Sequence, residues 1–116
     1  MYSLRKISTA AVLCLSSSLI HAENDFSSAQ VQSILQQNNC LACHQVDRRI
    51  VGPSYQQIAE KYQDDPNAAK QLAQAIQQGS QGEWGGVPMP PNLKIKDEDL
   101  NTIIDWLMNG APFLNE

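Results

Sequence analysis

Four stretches of the chain space their apolar residues as a helix does. In 26–38 (FSSAQVQSILQQN), Val31, Ile34 and Leu35 recur at i, i+3 and i+4 on an otherwise glutamine-rich surface, with Asp25 placed to cap the start. In 54–62, Tyr55, Ile58 and Tyr62 share one face. In 66–78, Ala69, Leu72, Ala73 and Ile76 are expected to point inward, with Asp65 as N-cap, Pro66 in the first helical position and Gly79 as the stop. The last stretch, 97–109, opens on Asp97, Glu98 and Asp99, acids suited to the positive end of a helix. It carries the clearest stripe: Leu100, Ile103, Ile104, Leu107 and Met108, the last expected as core filler, before Gly110. Between the third and fourth helices the pattern breaks. Residues 79–96 hold four glycines and three prolines, which exclude regular helix. A loop of this length in a small domain usually has a function. No segment alternates as a strand would, and there is no internal repeat. The pattern predicts an all-α fold of about four helices with no sheet.

The first residues change the accounting. Arg5 and Lys6 precede the apolar run Ala10–Leu15, and Ile20-His21-Ala22 offers a small residue for cleavage after Ala22. Residues 1–22 are expected to be a cleaved signal peptide, and 23–116 the mature domain. The apolar run is short for a membrane span; an uncleaved anchor is the alternative. Cys14 follows Leu13, where a lipoprotein site would want a small residue, so it is assigned to the leader. Removing 22 of the 116 residues leaves 94, and losing Arg5 and Lys6 with no acid takes the formal net charge from −4 to −6. That acidity argues against nucleic acid as a partner and favours proteins with basic docking surfaces. A chain this small has a small core, so an apolar cofactor would form much of it.

The chemistry gathers at Cys40-Leu41-Ala42-Cys43-His44. Two thiols at this spacing can each add across a vinyl group of one haem, and the adjacent imidazole can then reach the iron; C-x-x-C-H is read as c-type haem attachment. A zinc site would need about four ligands, and the other Cys and His, Cys14 and His21, lie in the leader. A thioredoxin-like pair needs an α/β context that the pattern does not provide. With no other histidine in the mature chain, the second axial position falls to a methionine. Met89, in Val87-Pro88-Met89-Pro90-Pro91, is preferred over Met108, because flanking prolines stiffen the backbone that must hold a weak thioether ligand. His/Met ligation raises the reduction potential and closes both axial sites, which suits one-electron transfer.

With these residues in view, the chain resembles the small bacterial class I cytochromes c of the c551 (c8-type) group. The resemblance spans the mature chain and is strongest in Cys40–His44, in Val51-Gly52-Pro53-Ser54-Tyr55, and from Gly79-Ser80-Gln81-Gly82-Glu83-Trp84-Gly85 through Pro88-Met89-Pro90-Pro91-Asn92. It implies a small cytochrome c fold wrapped around one covalent haem c. Cys40 and Cys43 would carry the thioethers, and His44 and Met89 the iron. The Pro53 carbonyl would accept the other ring N–H of His44. The Trp84 indole would reach a haem propionate, and Asn92 would steady the Met89 sulfur. The implied function is a periplasmic one-electron carrier, not an enzyme. Its partners would be membrane cytochrome complexes and terminal acceptors such as nitrite reductase, a haem–copper oxidase or a cytochrome c peroxidase. No stable membrane insertion is expected once the leader is cut. An open-site peroxidase or gas sensor, and a haem subunit fixed to a larger enzyme, are the competing functions. Three departures from the family stand out: Ala75 where many relatives have a propionate-pairing arginine, Gly86 where a proline is common, and Asn39 where glycine usually precedes the first cysteine.

Overall fold

The computed structural model describes residues 26–114 and forms four α-helices: α1 (Ser28–Gln37), α2 (Tyr55–Tyr62), α3 (Ala68–Gln78) and α4 (Asp97–Met108). Among the described residues there is no sheet, only two isolated β-bridges. The fold is the expected all-α one. The expected leader, its expected cleavage site and Asp25 lie outside the described residues.

Side chains serve the free N–H groups at the starts of α1 and α2, and two starts differ from expectation. Ser27 caps α1, its hydroxyl accepting from the Gln30 N–H at 3.2 Å. At α2, Ser54 and Gln57 form a reciprocal capping box: Ser54 Oγ accepts from Gln57 N–H at 3.0 Å, and Gln57 Oε1 from Ser54 N–H at 2.9 Å. The start of α3 is Ala68, not Pro66, with Asn67 at the cap position. Asp65 still serves that end from outside the helix: Oδ1 accepts from Asn67 N–H at 2.7 Å and Oδ2 from the Gln71 side chain at 2.8 Å. This is an Asx-type turn leading into the helix.

Helix α4 is the common wall of the core, packing against α1, α2 and α3. It buries Leu100, Ile103, Ile104, Trp106 and Leu107 against Val31, Ile34 and Leu35 of α1, Tyr55, Ile58, Ala59 and Tyr62 of α2, and Ala68 and Leu72 of α3. Two inward assignments need correction. Ala68 is buried and Ala69 exposed, a shift of one position that alanine-rich sequence does not resolve. Met108 is 39% exposed, at the C-terminal end of α4. Trp106, fully buried, fills the place instead, its indole N–H donating to Pro112 O at 3.0 Å.

The C-terminal end of α4 is a Schellman stop. Gly110 N–H donates to Leu107 O at 3.0 Å and Ala111 N–H to Trp106 O at 3.0 Å, with Gly110 at φ 90°. Ala111 is itself fully buried, giving the motif its apolar contact with Trp106. A Cβ on Gly110 would meet nothing within 4 Å, so the cost of Gly110→Ala is purely backbone. It should lower stability by about 1 kcal/mol, read as a reduced denaturation midpoint in guanidinium chloride.

Candidate functional site

The Cys40–His44 segment leaves α1 through one sharp residue. Asn39 sits at φ 56°, ψ 21°, in the left-handed region, which Asn tolerates better than most non-glycine residues. A single 3-10 turn over Cys40–Ala42 follows, and His44 N–H donates to Cys40 O at 3.0 Å. This places Cys40, Cys43 and His44 on the wall of one cavity. His44 is buried, with Nδ1 2.7 Å from Pro53 O. A carbonyl only accepts, so Nδ1 carries the proton and Nε2 presents its lone pair. Gly52 sets how closely the chain can pass: a Cβ there would lie 2.7 Å from His44 Cε1. Gly52 N–H also donates to Cys43 O at 2.7 Å, fixing the loop behind the imidazole.

Met89 lies on the same cavity, half-buried. Its position is set by backbone pairing with Ser80: Met89 N–H donates to Ser80 O at 2.9 Å, and Ser80 N–H to Met89 O at 3.1 Å. Gly79, at φ 81°, makes room for that pairing, since a Cβ there would lie 2.6 Å from Met89 O and 3.1 Å from Pro91 N. At the far end of the segment Asn92 N–H donates to Ile76 O at 2.8 Å, tying the loop to α3.

The Asn92 side chain bonds within its own loop and to the end of α1. Its Oδ1 accepts from Lys94 N–H at 3.2 Å and Ile95 N–H at 3.1 Å, and its Nδ2 is 3.4 Å from Asn38 Oδ1. It joins the loop to the end of α1. Trp84 lines the cavity, half-buried, with the Lys61 ammonium 4.8 Å from its ring centroid. Lys61 is paired with Glu83 at 2.9 Å, and the Glu83 carboxylate raises the Lys61 pKa. The Arg49 guanidinium donates to the Trp84 carbonyl from the other loop. Ala75 also lines the cavity.

The cavity has a volume of about 530 Å³, within the range of cofactor sites. Besides the sulfur and imidazole groups it is walled by apolar side chains, including Leu35, Ile58, Leu72, Ile76, Ile103 and Leu107. Burial pushes the Cys40 thiol up, the reverse of what activates a thioredoxin-type cysteine. Among the described residues no group of three or more Cys, His, Asp and Glu could hold a metal ion. The donor set and the apolar walls fit a large, flat, apolar group joined through sulfur and held at its centre by nitrogen.

Sequence reasoning missed three features here. Tyr55 was an inward-facing residue of α2; it also lines the cavity, with its ring 5.3 Å from that of His44. Arg49 lies between the two motifs Cys40–His44 and Val51–Tyr55, and nothing local signals its reach to Trp84. Gly79 was read as a helix stop, whereas its contact with Met89 depends on residues ten positions on.

Fold and site together define a small all-α haem protein. Comparison with known proteins makes the class specific. The family model described as Cytochrome c matches residues 28–111. Cytochrome c-552 of Nitrosomonas europaea is 47% identical over 75 residues, which cover 65% of this chain and 73% of that protein. Cytochrome c-551 of Pseudomonas aeruginosa is 40% identical over 76 residues, covering 66% and 72%. The crystal structure of wild-type Nitrosomonas europaea cytochrome c552 superposes with a TM-score of 0.64 at 45% identity, covering 67% of this chain and 96% of that one. The chain belongs to the cytochrome c family and is a bacterial class I cytochrome c of the c551 type. It is an electron carrier with one covalently attached haem c.

Proposed function

We propose that Cys40 and Cys43 would hold the haem through thioethers and that His44 Nε2 and Met89 Sδ would ligate its iron. The observation that carries this reading is the convergence of all four side chains on one cavity, with His44 Nδ1 pinned to the Pro53 carbonyl. When bound, the haem supplies an iron that changes by one electron. The protein's part is to hold and insulate it. The Pro53 carbonyl fixes the His44 tautomer and makes the ring a better donor. The Ser80 pairing holds Met89 in place as a ligand, so that a thioether, weak by itself, loses little freedom on binding. The apolar walls exclude water and favour the less charged, reduced state. Trp84 directs its indole N–H to a haem propionate. Asn92 steadies the Met89 sulfur and braces the loop that carries it.

On this reading the protein is a periplasmic one-electron carrier and not an enzyme, released from a leader cut after Ala22. It passes electrons between membrane cytochrome complexes and terminal reductases, oxidases or peroxidases. Among the described residues no helix is long and apolar enough to cross a membrane. Val87 and Leu93 stand 65% and 85% exposed on the cavity rim, an apolar lip where a partner could approach the haem edge. The deciding experiment is stopped-flow electron transfer between the haem-loaded protein and each candidate partner over a range of salt. Fast exchange with a full far-red Met–iron(III) band supports the carrier reading. An absent band at neutral pH, with peroxide or gas binding, would replace it with the open-site one.

Ala75 gives a further check. With no arginine at that point of the cavity wall, a propionate there should keep its proton to higher pH. Ala75→Arg would favour the carboxylate and lower its pKa in both oxidation states. The pH window over which the midpoint potential falls should therefore move down. A redox titration showing the window unmoved or raised would contradict this.

A further inference from the structure

The Tyr55 hydroxyl is the one buried side-chain oxygen or nitrogen among the described residues with no hydrogen-bond partner. Tyr55 is 4% exposed, and a buried hydroxyl left unpaired is destabilising. The ring cannot turn to relieve it. It opens α2, directly after the Ser54 capping box, and Tyr55 N–H donates to Gln45 O at 2.9 Å. One side of the ring meets His44 at 5.3 Å, and the Trp106 ring meets it edge-on at 4.9 Å. Trp106 is in turn held by Pro112 O. The phenol is thus fixed on the cavity wall that Cys40 also lines, where burial and then the neighbouring Cys40 sulfur push its pKa up. The Cys40 thiol points its own weak donor at Asn38 O, 3.8 Å away.

We propose that Tyr55 is a positioning residue for the haem: its O–H donates to the Cys40 sulfur once that sulfur has become a thioether. The inference rests on the haem-attachment reading above. Attachment changes what Cys40 can do. As a thiol it is a weak donor and weak acceptor; as a thioether it has no proton and can only accept. Its contact with Asn38 O then has no hydrogen, and the neighbouring Tyr55 hydroxyl supplies one. The orphaned group and the new acceptor satisfy each other. The bond fixes the rotation of the Cys40 linkage. It also aims the positive end of a buried dipole at the haem, which disfavours the more positively charged oxidised state and raises the potential.

The test compares the haem-loaded protein with Tyr55→Phe, after the pyridine haemochrome spectrum has shown two thioethers in each. In the parent, proton NMR of the reduced state should show a Tyr55 hydroxyl proton protected from exchange, with a cross-peak to the Cys40 β-protons. Tyr55→Phe should lose that signal, lower the midpoint potential and shift the C–S stretching band in resonance Raman. Tyr62→Phe, a phenol loss on the same helix, should leave the C–S band in place. If Tyr55→Phe changes neither potential nor C–S band, or only raises stability as expected for removing an unpaired hydroxyl, the role is overturned while the carrier reading stands. A colourless parent protein would overturn both.

Discussion

Met89→Ala is expected to abolish the far-red absorption band of the oxidised protein and to lower the midpoint potential. The fall should be on the order of 0.1 V or more, a modest part of the ~0.8 V range that axial ligands span. The direction follows from softness: a thioether favours iron(II), and water or another hard group taking its place does not. The fold should survive. The loop at this point is held by the main chain of Met89 on Ser80 and by Asn92 on Ile76, and alanine keeps those bonds. Loss of the band with near-native helical content in far-ultraviolet circular dichroism is therefore the expected pair of results. A variant that kept the band would show that another group occupies the iron.

Gly79→Ala is expected to reach the same place from outside the cavity. Its Cβ would lie 2.6 Å from Met89 O and 3.1 Å from Pro91 N, both main-chain atoms that cannot rotate away, and φ is 81°. The backbone strain and the forced displacement together should cost about 2–4 kcal/mol. The loop gives way more readily than α3, so part of that cost should appear as weaker Met89 binding. The far-red band should bleach at a lower pH, temperature or denaturant concentration than in the parent. Gly86→Ala, where a Cβ would meet nothing within 4 Å, serves as the control and should leave the band unchanged.

The helices were legible because their signal is local. Val31, Ile34 and Leu35, or Leu100, Ile103, Ile104 and Leu107, identify a face by spacing alone, and the structure buries that face. The errors arise where neighbouring choices are nearly equal in energy. Ala68 and Ala69 differ little in hydropathy, so only packing against α4 sets which one turns in. Asp65 can cap a helix directly or through an Asx turn, and both use the same oxygens. Trp106 was passed over because an apolar stripe already accounted for α4, and a large aromatic beside it was not needed to complete the pattern. Within the site, the residues contributed by short contiguous motifs could be read. Arg49 on Trp84, Tyr55 on the cavity wall and Gly79 against Met89 could not, because each is a meeting of segments whose separation sequence does not encode locally.

The central place of α4 also governs the order of events during synthesis. It follows the other three described helices in the chain, and α1, α2 and α3 all pack against it. Until residues 97–108 have emerged, the earlier helices lack the wall they share and each is too short to persist alone. The chain therefore stays open until this helix is available, which leaves Cys40 and Cys43 accessible until then. Closure comes late and all at once, and it encloses whatever has by then been attached.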